Sequence, residues 1–131
     1  MHILKLQTTQ RNQVLDLTSK LQDLLTQLGF QDGLAVAHCP HTTAGLSVNE
    51  NADPDVKSDM LGHLSKLVPR SPEFRHGEDN ADSHIKATLV GLSQTFLVEK
   101  GRLLLGTWQG LYFMEFDGPR HREVWVKFLK G

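Results

Sequence analysis

From His2 to Thr8, Ile3, Lys5 and Gln7 alternate with Leu4 and Leu6, the two-residue period of a strand. Val14-Leu15-Asp16-Leu17 is a second, shorter strand that runs into Thr18 and Ser19, both competent helix N-caps. Leu21, Leu24, Leu25 and Leu28 then fall at helical spacing, and Gly29 sits where a left-handed residue ends such a helix. Gln31-Asp32-Gly33 turns the chain into Leu34–Cys39, so nearly all apolar that it predicts a strand buried on both faces. Pro40 has no amide hydrogen and breaks the ladder, and Gly45–Asn49 is the next strand. Asp53-Pro54 marks a helix start, because aspartate accepts free amides and proline suits the first helical position. Val56, Met60, Leu64 and Leu67 form its apolar stripe, ended by Pro69 and Pro72. Residues 70–79 read as loop. A third helix is predicted from about Asp82 to Leu92, with Ile85, Leu89 and Leu92 inward. Four strand-like runs follow: Gln94–Glu99, Arg102–Thr107, Leu111–Phe116 and Glu123–Leu129, separated by turns at Lys100-Gly101, Gln109-Gly110 and Asp117-Gly118-Pro119. The order ββαββααββββ predicts an α+β fold on mostly antiparallel sheet.

The 131 residues fit one domain, 1–131, and exclude a (β/α)₈ barrel, which needs at least ~200 residues. Fourteen Lys and Arg against 15 Asp and Glu give a formal charge of −1, so the basic footprint of a nucleic-acid binder is missing. No apolar run approaches bilayer-spanning length and the first residues lack a signal-peptide pattern, so a soluble cytoplasmic protein is expected, with no nucleic acid and no membrane as partner. Cys39 is the single cysteine, which removes intramolecular disulfides and CxxC zinc sites. An apolar share of 39% makes a lean core for this length and favours oligomerisation.

The seven histidines carry the candidate chemistry. In His76-Gly77-Glu78-Asp79-Asn80-Ala81-Asp82-Ser83-His84, seven of nine side chains can ligate or move a proton, at a predicted loop-to-helix junction where free amides favour an anion. Capping accounts for Asp79, Asn80, Asp82 or Ser83 individually, but not for the flanking imidazoles. A second cluster, His41-Thr42-Thr43, interrupts two apolar strands with polar groups, which costs burial and points to function. Cys39 and His41 could share a strand face as a ligand pair; Pro40 disturbs that alternation, and Cys39 reads better as core. His38 reads as a core or edge histidine. Asn49 and Glu50 lie in a third polar run, Asn49-Glu50-Asn51-Ala52-Asp53, where capping explains Asp53 alone. In the run Leu105–Arg120 a hairpin with a bulky core face explains the aromatics, but explains Gln109, Glu115 and Arg120 poorly.

His41-Thr42-Thr43-Ala44-Gly45, Asn49-Glu50-Asn51-Ala52-Asp53-Pro54, Asn80-Ala81-Asp82-Ser83-His84-Ile85-Lys86 and Leu105-Gly106-Thr107-Trp108-Gln109-Gly110, in that order, resemble the YjbQ family. The likeness runs from the first strand to Val126. Members are commonly labelled secondary thiamine-phosphate synthases, so the resemblance implies joining a pyrimidine methyl diphosphate to a thiazole phosphate with release of pyrophosphate, as a side activity. It also implies a sandwich-like domain assembled as a homotrimer, motif histidines at His41, His76 and His84, an acid at Asp82, and a turn at Trp108, Gln109 and Gly110. The expected site then has Asp82, His84 and Asn80 in catalysis. Thr42, Thr43, Asn49, Gln109 and Arg120 are expected on a phosphorylated small molecule, and His41, His76 and His84 in one pocket as ligands of a divalent ion. Three imidazoles suit zinc, whereas magnesium prefers carboxylates and water, and the choice stays open. No Gly-rich phosphate loop or paired-aspartate diphosphate motif is present. A metal-dependent hydrolase or lyase and a non-catalytic metabolite- or metal-binding module are the alternatives.

Overall fold

The computed structural model describes residues 1–131 and contains all eleven predicted elements in the predicted order: β1 (His2–Gln7), β2 (Gln13–Asp16), α1 (Thr18–Leu28), β3 (Gly33–His38), β4 (Ala44–Glu50), α2 (Pro54–Leu67), α3 (Ala81–Val90), β5 (Ser93–Glu99), β6 (Arg102–Leu104), β7 (Gln109–Glu115) and β8 (His121–Lys130). The strands form two antiparallel sheets, of order β1-β8-β3-β5-β6 and β2-β7-β4. Their inner faces meet over a 15-residue apolar core that includes Leu6, Ala35, Leu46, Phe96, Phe113 and Val124, with Leu21 and Leu25 of α1. The outer face of the smaller sheet, through Tyr112 and Met114, packs with Phe116 against Ala87 of α3 and the half-buried Met60, Leu61 and Leu64 of α2.

Local signals set the element ends. Gly29 ends α1 at φ 67°, in the left-handed region that glycine enters at little cost. Asp53 caps α2 by accepting the Asp55 amide hydrogen, beside a proline at the first turn. At α1 the cap differs from expectation: Leu17 occupies the N-cap, and the Asp16 carboxylate accepts from both the Thr18 amide and hydroxyl. The predicted Gln109-Gly110 turn shifts back along the chain, since Gly106–Gln109 closes it and Gln109 and Gly110 already belong to β7.

Three burial expectations are corrected. In β3 only Ala35 and Ala37 are buried, while Leu34, Val36 and His38 face away from the core, because nothing in the chain covers the outer face of the five-stranded sheet. The strand covered on both faces is β7, the middle of the three-stranded sheet, where Gly110 to Glu115 are all buried. In α3 the apolar Ile85 and Leu89, and Leu92 just beyond it, point outward, and the helix buries Asp82, Ser83, Lys86 and Ala87 instead. Those polar groups find partners inside: the Ser83 hydroxyl donates to the Phe116 carbonyl at 2.6 Å, and Lys86 reaches Asp82. In α2, Leu67 is exposed and no residue is fully buried.

Candidate functional site

The polar interruption at residues 41–43, the start of α3 and the turn from β7 to β8 meet around a cavity of about 320 Å³. Pro40, His41, Thr42 and Thr43 form one wall, Glu78, Asn80 and His84 a second, and Asp117, Arg120 and Arg122 a third; Pro40 is the one apolar side chain among them.

Glu115, at the end of β7, anchors the floor. Its carboxylate is inaccessible and accepts from five donors: the Thr8 hydroxyl at 2.7 Å, the Phe116 and Asp117 amides at 3.1 Å, Arg122 Nε at 2.8 Å and Arg122 Nη2. Burial opposes its charge, but the hydrogen bonds from Arg122, Thr8 and the Asp117 amide outweigh that and hold its carboxyl below the ordinary range. Arg122 Nη2 also donates to Thr43 Oγ1 at 2.8 Å, fixing the 41–43 segment to β8. Across the cavity, Asp117 accepts from Asn80 Nδ2 at 2.8 Å and Arg120 Nη2 at 2.9 Å, and these bonds likewise prevail over burial to lower its pKa.

His41 is a neutral donor by construction. Its Nε2 accepts the Glu123 amide hydrogen at 2.9 Å, so the ring proton resides on Nδ1, which meets no protein acceptor. Burial first, and the Arg122 charge second, push its pKa down and keep the ring uncharged. His84 lies on the same cavity. His76 does not: it lines an adjoining cavity of about 150 Å³ beside Phe74, Asp79 and Asp82, and its ring meets that of His84 edge-on, with centroids 5.1 Å apart. The three motif histidines are therefore neighbours, in two abutting cavities.

Asp82 is 1% exposed and held between two cations. Arg11 Nη1 and Nη2 each approach one of its oxygens at 3.1 Å, and Lys86 Nζ lies 3.2 Å from Oδ2. Despite the burial penalty, these partners depress its pKa, so the carboxylate is a poor proton acceptor. It makes no N-cap bond, and Asn80, the residue at the cap, makes none with its side chain either. Asn80 Oδ1 is buried without a partner.

Thr42, Thr43, Asn80, His84 and Arg120 thus come together with His41 as expected, but Asn49 and Gln109 do not. Asn49 pairs with Gly110 at the far end of β4, about 17 Å from Ala44 at ~3.4 Å per strand residue. Both have local work there: Asn49 Oδ1 accepts the Glu50 amide at 2.7 Å, and Gln109 Oε1 accepts the Gly106 amide at 2.9 Å, closing the turn before β7. The proposed ligand set fares similarly. No three of His, Cys, Asp and Glu converge to hold a metal ion within the chain, and both His41 Nε2 and the Asp82 oxygens already have hydrogen-bond donors. Within a single chain, then, His41, His76, His84 and Asp82 do not share one ion position.

Sequence reading missed Arg122, Arg11 and Lys86. Arg122 carried a usable signal, since it shares the inward parity of Val124 and Val126 in β8, and Glu115 that of Phe113 and Leu111 in β7. Two inward residues of opposite charge announce a buried pair.

The profile of the family described as "UPF0047 protein YjbQ-like" matches residues 2–131. UPF0047 protein YugU of Bacillus subtilis is 49% identical over 127 residues, covering 96% of each chain. UPF0047 protein MJ1081 of Methanocaldococcus jannaschii is 48% identical over 125 residues, covering 95% of this chain and 91% of its own. The crystal structure of an uncharacterized conserved protein of the YjbQ/UPF0047 family from Clostridium acetobutylicum superposes with a TM-score of 0.95 at 48% identity, over 98% of this chain and 100% of that one. The match over residues 2–131, the near 50% identities over almost the full length and the superposition agree: the chain belongs to the YjbQ-like UPF0047 family.

Proposed function

We propose that the chain is an enzyme acting on a phosphorylated small molecule in the 41–43/α3/β8 cavity. The observation that carries this reading is a cavity lined, Pro40 apart, by polar side chains, where two guanidinium groups and two imidazoles face a space of about 320 Å³. Departure of phosphate or pyrophosphate needs positive or N–H groups aimed at the leaving oxygens. His41 Nδ1–H supplies a neutral donor, Arg120 a rim cation, and Thr42 and Thr43 hydroxyl groups. His84 is the proton carrier in this reading, placed on the cavity and beside His76. Asp82 is a positioning residue: with Arg11 and Lys86 it secures the first turn of α3, which presents Asn80 and His84.

The reaction to test first is the one the family resemblance implies. The thiazole nitrogen bonds to the methylene carbon of the pyrimidine methyl diphosphate as its C–O bond to pyrophosphate breaks, and His84 protonates the departing oxygen. The homotrimer belongs to the same proposal. It is supported by the uncovered face of the five-stranded sheet, where Ile3, Leu34, Leu97, Trp125 and Leu129 are all exposed.

Steady-state release of pyrophosphate and formation of thiamine phosphate, in wild type and His84→Gln, test the reading. Turnover is expected in wild type and a fall of ~10²-fold or more in a folded His84→Gln protein. Equal turnover in the two proteins would remove His84 from the chemistry. No turnover by wild type would remove the synthase reaction.

A further inference from the structure

Arg122 is 5% exposed, and one edge of its guanidinium is fixed by Glu115 and Thr43 through Nε and Nη2. Its Nη1 makes no hydrogen bond within the protein, and the side chain lines the cavity. The pair is therefore lopsided. Glu115 collects hydrogen bonds from Thr8 and from two backbone amides as well as from the guanidinium, so its charge is shared out and saturated. The guanidinium is left with Nη1 donors that no protein acceptor takes, on a side chain that lines the cavity. The same cavity is lined by His41, with a free Nδ1–H, and by Asn80, at the start of an α3 that has no side-chain cap. A buried arginine with donors left over, next to a neutral N–H and a helix N-terminus, is a preorganised receptor for a tetrahedral oxyanion.

We propose that Arg122 is the anion anchor of this cavity, receiving the phosphoryl oxygens of the ligand on Nη1 with His41 Nδ1–H as the second donor. The proposal rests on the reading that the ligand is phosphorylated, and assigns the binding of its phosphate to a residue outside the motif set. Arg120, the obvious surface candidate, is half exposed and already paired with Asp117, which makes it a screened rim contact. The carboxylates on the cavity divide accordingly. Asp117 is tied to Asn80 and Arg120, and the exposed Glu78 is the cavity's other carboxylate. A phosphate seats at Arg122 and away from Glu78, leaving the organic part of the ligand, with hydroxyl or amine donors, on the Glu78 side.

The probes are inorganic phosphate and pyrophosphate, added to full-length protein. Calorimetry gives their affinity for wild type, Arg122→Lys and Arg120→Lys. In parallel, ¹⁵N spectra of arginine-labelled wild type follow the assigned Arg122 Nε–H during the titration. The expected result is that the Arg122 signal shifts and saturates with the calorimetric dissociation constant, while Arg122→Lys loses at least about tenfold more affinity than Arg120→Lys. Anion binding that leaves the Arg122 signal unmoved would overturn the anchor and leave the phosphorylated-ligand reading standing. If Arg122→Lys does not fold because Glu115 is stranded, the wild-type signal alone decides. Failure of either anion to bind wild type at millimolar concentration would overturn the anchor together with the reading beneath it.

Discussion

Replacing Asp82 by asparagine keeps its shape and removes the one negative charge between Arg11 and Lys86. The two cations suffer unequally. The Arg11 side chain is 24% exposed and can turn to solvent, so its lost pairing contributes on the scale of a partly exposed ion pair, ~1 kcal/mol or less. The Lys86 side chain is 2% exposed and has no other hydrogen-bond partner. Its remaining compensation is the Phe116 ring 5.8 Å away. Stranding a buried charge typically costs about 3–5 kcal/mol, and the amide oxygen of asparagine still accepts one hydrogen bond from it, so we expect a loss near ~3 kcal/mol. Urea unfolding at fixed protein concentration measures this directly. The double variant Asp82→Asn/Lys86→Met, which removes the stranded charge as well, should regain most of the loss, giving a coupling of ~2 kcal/mol. The pH dependence follows the same logic. The folded carboxyl titrates below its unfolded value, so the native state binds fewer protons there, and the stabilisation is complete at neutral pH and drains away as pH falls below the ordinary carboxylate range. Asp82→Asn should flatten that acid limb. A single variant that costs under 1 kcal/mol, with no coupling to Lys86, would refute the account of α3 as a helix held by a buried ion triad.

Two further outcomes are expected. Imidazole ¹⁵N spectra should show His41 as the Nδ1–H tautomer with a pKa below the ordinary histidine value, so that it stays neutral as pH falls through the range where free histidine protonates; an Nε2–H tautomer would contradict the Glu123 hydrogen bond. Leu97→Glu, placed on the uncovered sheet face at a residue that is 60% exposed, should leave the fold intact and convert a trimer to monomers in light scattering; a wild type that is monomeric at micromolar concentration would refute the assembly.

What was legible in the sequence was whatever neighbouring residues settle among themselves. The alternation in β1, the leucine spacing of α1, Gly29 as its stop and Asp53-Pro54 as the start of α2 are all local chemistry, and each stands where expected. The polar interruption at 41–43 and the polar run before α3 also announced themselves, because such runs break a local rule, and both lie on the cavity. Periodicity shows that an element has a stripe but not what covers it. Which strand is sandwiched on both faces depends on sheet order, and that placed β7 rather than β3 between two layers. Which face of α3 is buried depended on Arg11, 71 residues away in sequence, whose guanidinium meets Asp82 and makes burial of a charged face tolerable. A second long-range pairing, of β4 with β7, separated Asn49 and Gln109 from His41. They lie at opposite ends of one strand pair, a separation set by the β4–β7 register and invisible to motif spacing. Arg122 became a cavity group only because β8 runs beside β1 and β3 while Glu115 ends β7, so two strands from different sheets brought one buried charge against the other.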